Sequence, residues 1–203
     1  MLSFSVAGFS QTQIKIAPFD ITKLPKEITY EGKIKTSVSW TDRLGKNIVI
    51  TTETGIHQSK KFKHELDGSD AELFAYHFIV SNTTTKPTWR VYDYISDCPV
   101  DIEASFVKNT FQVTDLDNNG IAEIWLMYRT VCHGDISPST MKIIMYQGAQ
   151  KYAMRGESKV RVSEKEFIGG DYIFDNAFLK GPKAFTGFAK KLWNTHVVQT
   201  WDE

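Results

Sequence analysis

The sequence predicts a mainly β domain: an antiparallel sheet, sandwich or partial propeller-like meander, with one helix near the C-terminal end packed on it. Three observations predict this class. Apolar and polar residues alternate along much of the chain, as in Ile34, Thr36, Val38 and Trp40, which is the period of a half-buried strand. Tight-turn pairs and short polar loops separate these runs. From Pro182 onward the apolar period lengthens to that of a helix. At 203 residues, 41% hydrophobic and 13% aromatic, the chain suits one domain with a sizeable core.

Residues 1–13, "MLSFSVAGFSQTQ", are apolar, small and uncharged. They resemble the end of a secretory signal peptide, with Gly8 and Ser10 as the small residues before a cleavage at Gln11. Residues 1–10 are therefore read as a signal-peptide remnant and 11–203 as the domain, with export expected. The basic n-region is missing, and the alternative is an ordinary first strand. Residues 32–41 and 46–54 flank the turn "DRLG" and read as a hairpin. Strand-like runs follow at 71–81, 88–96, 104–114 and 121–132. Residues 141–146 and 151–155 flank Gln147-Gly148 as a second hairpin, and 158–164 reads as a short charged edge strand. Asp175 suits the N-cap of a short helix. Pro182 suits the first position of a longer one, whose apolar stripe is Phe185, Phe188, Ala189, Leu192 and Trp193.

Lys plus Arg equals Asp plus Glu at 24 each, which argues against nucleic acid as a partner because that requires a basic footprint. No apolar run reaches the ~18 residues of a membrane helix. The basic run "SKKFKHE" at 59–65 reads as a solvated loop. Asn82-Thr83-Thr84 is a glycosylation sequon that matters only in a eukaryotic secretory setting.

Two cysteines, Cys98 and Cys132, are a disulfide if the chain is exported and two buried thiols if it is not. An antiparallel meander of 88–96, 104–114 and 121–132 places both at one rim. Its outer strands would lie about 9.5 Å apart, against the ~5.5 Å between Cα atoms that a disulfide needs, so the loops must lean inward.

The same meander places "DLDNNGIAE", residues 115–123, at the other rim. Oxygen-bearing side chains stand at alternate positions, Asp115, Asp117 and Asn119, before Gly120, with Glu123 three residues later. Calcium takes six to eight oxygens, and the spacing predicts it here, held by Asp115, Asp117, Asn119, the Ile121 carbonyl and Glu123. Leu126 stands where an EF-hand carries its bidentate Glu, so the loop is not an EF-hand. A metal-free Asn-Gly turn is the competing reading.

Other candidates are weaker. "VCHGDISPST" brings Cys132, His133, Asp135, Ser137 and Ser139 into one loop, but triads are assembled in space, not from neighbouring residues, and no Gly-x-Ser-x-Gly elbow is present. His57 and His64 lack a third ligand at zinc spacing. Trp89, Tyr92 and Tyr94 are expected to form an exposed aromatic surface for a ligand.

The acidic loop resembles the calcium loops that join strands in integrin-type propeller blades, with Asn119 and Glu123 where Asp is commoner and with a single copy. More widely, residues 115–156, through the Cys-x-Gly-Asp-x-Ser-Pro stretch and "KYAMRG", resemble a small family of uncharacterised bacterial exported proteins labelled surface polysaccharide biosynthesis. That resemblance implies a cell-envelope setting and carries no catalytic residues. The expectation is an exported, non-enzymatic, calcium-stabilised protein that binds or helps assemble surface polysaccharide, with the polysaccharide or envelope proteins as partners. The alternatives are a glycoside hydrolase-like enzyme, which needs a cleft with two carboxylates ~5–10 Å apart, and a purely structural domain.

Overall fold

The computed structural model describes residues 14–26, 28–81 and 84–199. The signal-like segment, part of the sequon and the last four residues lie outside them. Two antiparallel sheets stack face to face, and a pair of helices covers the far side of the second. The first sheet is a meander of β1 (Ala17–Pro18), β2 (Lys33–Asp42), β3 (Gly45–Glu53), β4 (Ser69–Val80) and β5 (Thr85–Cys98), in that order. The second has the order β13-β10-β9-β8-β6. It comprises β6 (Ile102–Phe106), β8 (Glu123–Cys132), β9 (Thr140–Gln147), β10 (Gln150–Glu157) and β13 (Tyr172–Phe174), with β7 (Gln112–Thr114) also paired to β8. β11 (Lys159–Arg161) and β12 (Phe167–Gly169) form a separate ribbon, so the expected edge strand belongs to neither main sheet. α1 (Asn176–Lys180) and α2 (Lys183–His196) follow.

Alternation explains the layering. In β4, Ala71, Leu73 and Ala75 face the second sheet, while Phe74, Tyr76 and Phe78 face outward under Phe19, Ile21, Leu24 and Ile28. In β8, Ile124, Leu126 and Tyr128 face the first sheet, while Trp125 and Met127 face the helices. Both faces of the second sheet are therefore covered, and residues 123–128 are all buried. Asp175 caps α1 as expected, its Oδ1 accepting from Phe178 N–H at 3.0 Å. Phe178, Phe185, Leu192 and Trp193 are buried against the second sheet, each contributing roughly 1.5–3 kcal/mol.

Three expectations are corrected. The run at 88–96 does not share a sheet with 104–114: β5 pairs β4, and the chain crosses to the second sheet between Cys98 and Ile102. The run at 104–114 is two strands, interrupted at 107–111 where Asn109 has φ +61°. The face shared by Ile34, Thr36, Val38 and Trp40 is broken by a register shift between Ile34 and Thr36. That shift turns Ile34 to the outer layer while Val38 and Trp40 face inward, as an inserted residue in a strand must.

The crossing brings the cysteines together. Cys98 ends β5, Cys132 ends β8 and pairs with Ile102, and the two form a disulfide with Cα atoms 5.8 Å apart. It links the two sheets directly, with no strand between.

A candidate metal centre at the β7–β8 turn

The turn between β7 and β8 closes where Thr114 pairs with Glu123. Within it the alternate side chains each take a backbone N–H ahead of them. Asp115 Oδ2 accepts from Gly120 at 3.1 Å, Asp117 Oδ1 from Asn119 at 3.3 Å, and Asn119 Oδ1 from Ile121 at 2.7 Å. These bonds curl the chain around its own carboxylates, which is the local role of Asp and Asn in turns. Gly120 is favoured by its φ of +76°, and an added Cβ would stand 2.6 Å from Arg43 Cδ, so that side chain would have to shift.

One carboxylate oxygen from each of Asp115, Asp117 and Glu123 converges, all within 4.8 Å of one another. Asn119 stands beside them with its oxygen engaged by Ile121 and its Nδ2 donating to Asp117 Oδ2 at 3.0 Å. Ile121 is thus held by its N–H. Glu123 is fully buried. Its Oε2 accepts from the Thr114 hydroxyl at 2.7 Å and Leu116 N–H at 2.8 Å. Gln147, opposite Glu123 in β9, donates Nε2 to both Glu123 Oε1 (3.1 Å) and Asp117 Oδ2 (3.0 Å). Asp115 Oδ1 is buried with no hydrogen-bond partner.

Burial pushes the Glu123 carboxyl above the ordinary range; the Thr114 and Leu116 donors oppose it, and the charges of Asp117 and Asp115 add to it. Three carboxylates, one deeply buried and one with an acceptor lacking any donor, can hold a metal ion. An oxygen-only donor set suits a hard cation. Gln147 is the member that spacing in the sequence cannot reveal, because it enters through strand register.

The turn also docks on the first sheet. The Arg43 guanidinium donates to Asn119 O at 2.7 Å and Arg43 N–H to Gly120 O at 2.8 Å. Ala122 N–H donates to Asp42 Oδ2 at 3.1 Å, which also accepts from the Trp40 indole at 3.2 Å.

The aromatic surface is only partly as expected. Trp89 is a correction: it is 9% exposed, stacked between His77 (5.0 Å) and Tyr146 (4.3 Å) in the inter-sheet core. Tyr92 and Tyr94 are exposed, at 38% and 44%. Their ring faces, however, are largely covered by one another and by Phe74 and Phe62, with centroids 4.7–5.3 Å apart. The Tyr92 hydroxyl donates to buried Glu72 at 2.8 Å.

The remaining sequence candidates are structural. His133 Nδ1 meets Asp135 O at 3.0 Å, Asp135 caps Ser137 N–H, and buried Ser139 donates to Gln199 at 2.7 Å. His57 and His64 tie the 54–68 loop to the buried carboxylates of Glu72 (3.2 Å) and Asp70 (2.8 Å). Lys61 of the basic run pairs with Glu31 and Glu72. Each of the five clefts described is lined by at most one carboxylate, Glu53 in one and Glu103 in another. Among the described residues no helix is long and apolar enough to cross a membrane. The chain matches no protein-family model, no curated protein and no solved structure.

Proposed function

We propose that this chain is an exported, non-catalytic, calcium-stabilised domain of the bacterial envelope that binds or helps assemble surface polysaccharide. The observation that carries the cation reading is the convergence of Asp115, Asp117 and Glu123, together with a buried Asp115 Oδ1 that has no donor. The three converging carboxylates form an all-oxygen donor set that suits a hard cation. What points to calcium among hard cations is the alternate spacing of Asp115, Asp117 and Asn119 before Gly120. The disulfide is compatible with an oxidising compartment. The envelope and polysaccharide setting rests on the resemblance of residues 115–156 to the exported family. The non-catalytic part rests on the same resemblance, which carries no catalytic residues.

Thermal melts in calcium and in chelator test the first half. Calcium at a hundred times its dissociation constant should stabilise by about 2.7 kcal/mol. Magnesium should substitute poorly, and Asp117→Asn should abolish the response. Identical melts with and without calcium would remove the cation from the reading. For the second half, the protein is titrated with purified bacterial surface polysaccharide; no binding in either calcium or chelator would refute it.

A further inference from the structure

We propose that the cleft between β6 and the last turn of α2 binds a small ligand carrying one carboxylate, through Arg129. On β8, Trp125 and Met127 are buried under the helices. Arg129, next in the same alternation, emerges where α2 ends at His196. Its partner across the ladder is Ser105 of β6. The space it enters is a cleft of about 520 Å³, lined also by Glu103, Ser105, Asn109, Thr195 and His196. That volume is in the range of small-molecule sites.

Arg129 is half-buried, and its Nε is buried without a hydrogen-bond partner. Among the described residues no carboxylate lies within ion-pairing distance of it. The C-terminal end of α2 favours a nearby cation through its dipole, yet it gives Nε no acceptor. A buried cationic donor with no acceptor is costly, and its natural complement is an anion supplied from outside. The planar guanidinium fork matches a carboxylate.

Glu103 narrows the choice. It lines the same cleft, with Ser105 Oγ donating to its carboxylate. Lys108 lines the cleft as well, so Glu103 does not bar anions, but its carboxylate repels a dianion such as phosphate more than a monoanion and offers an acceptor to a ligand hydroxyl or ammonium group. The ligand class is therefore a monocarboxylate with a neighbouring hydroxyl or amino group. The cleft shares no residue with the carboxylate triad, so this site stands or falls independently of the cation.

The test uses D-glucuronate, which carries both features, with D-glucose and inorganic phosphate as controls. The readouts are the Arg129 Nε–H resonance in ¹⁵N NMR spectra and the melting temperature. Glucuronate should shift that resonance saturably and raise the melting temperature. Glucose should do neither, and phosphate should bind at least several-fold more weakly. Arg129→Met should weaken glucuronate binding at least tenfold while the melting temperature holds or rises, because a buried donor without an acceptor has been removed. Should that variant fail to fold, Arg129→Lys keeps the charge, loses the fork, and should also weaken binding at least tenfold. An unmoved Nε resonance at tens of millimolar glucuronate, or a variant that binds like the parent, overturns the proposal.

Discussion

Lowering the pH from 7 to 4 should weaken this fold through His77, a residue of β4 that points into the space between the sheets. Its ring is 1% exposed and stacked between Trp40 (5.8 Å) and Trp89 (5.0 Å). Asn47 donates its Nδ2 to Gly45 O, which turns its Oδ1 to His77 Nε2 at 3.0 Å. Thr88 Oγ1 stands 2.5 Å from Nδ1, so a neutral ring that donates from Nε2 to Asn47 accepts from the Thr88 hydroxyl at Nδ1. Burial lowers its pKa from 6.5 to about 4, and the charge of Asp42 only partly offsets this. As pH falls below 6.5 the unfolded chain takes up a proton that the folded protein refuses. The contribution is whole above pH 6.5 and is lost progressively down to about 4. At 1.36 kcal/mol per pH unit the loss approaches about 3 kcal/mol, or roughly 6–12 °C in melting temperature for a chain of this size. His77→Gln keeps a donor for Asn47 and does not titrate. The difference between parent and variant melts, followed from pH 7 to 4, isolates the effect from other groups. Parallel pH profiles for the two proteins, or a His77 ring resonance that titrates near 6.5 in the folded state, would refute the reasoning.

Two further outcomes follow from the packing. The double substitution Cys98→Ala and Cys132→Ala opens a loop of sequence separation 34 and should cost about 4 kcal/mol in the chain-entropy model. A loss below about 1 kcal/mol would contradict it, as would two free thiols on titrating the unfolded, unreduced protein. Leu192→Ala, in the helix face at 8% exposure, should cost about 2–5 kcal/mol by denaturant midpoint at constant slope; less than about 0.5 kcal/mol would mean that the face is not packed.

What was legible in the sequence is what depends on neighbours. The hairpin of β2 and β3, the turn at Gln147-Gly148, the Asp175 cap and the buried face of α2 are all set by residues within a few positions of one another. The acidic turn is of the same kind: Asp115, Asp117 and Glu123 converge because alternate side chains cap the backbone just ahead of them. Sheet membership is different. Alternation shows that one face of β5 is apolar but not which sheet the strand joins, and so the crossing before Ile102 was hidden. Trp89 illustrates the limit within a single strand. It has the parity of Val91, which faces inward, and the opposite parity to Tyr92 and Tyr94, which face out. Grouping the three by aromatic character ignored the period-2 rule. Gln147 and Arg129 matter through cross-strand partners 24 residues distant, Glu123 and Ser105, a separation that no local motif reports.

Besides the Lys142–Asp93 ion pair and the Phe106 N–H bond to Glu53, two cross-sheet links stand at opposite ends of one strand. β8 starts at Glu123, beside the turn that docks on Asp42 and Arg43, and ends at Cys132, bonded to Cys98. The layer between these links holds Trp40, Trp89, Tyr128 and Tyr146 but also more small side chains than the helix-facing layer. Its cluster includes five alanines, at 71, 75, 104, 122 and 153, whereas the helix-facing cluster has one buried alanine, Ala189, among Trp, Phe and Met residues. Small side chains let two sheets approach closely but remove little area from water. The inter-sheet layer also contains His77, a polar ring that must remain uncharged. Sheet-to-sheet adhesion thus depends on the rims more than helix-to-sheet adhesion does. A cation at Asp115, Asp117 and Glu123 would act at the one rim that the disulfide does not secure. It should therefore slow exchange of amide protons in β2, β3 and the start of β8 more than in α2, and uniform protection across both would argue against a rim-specific role.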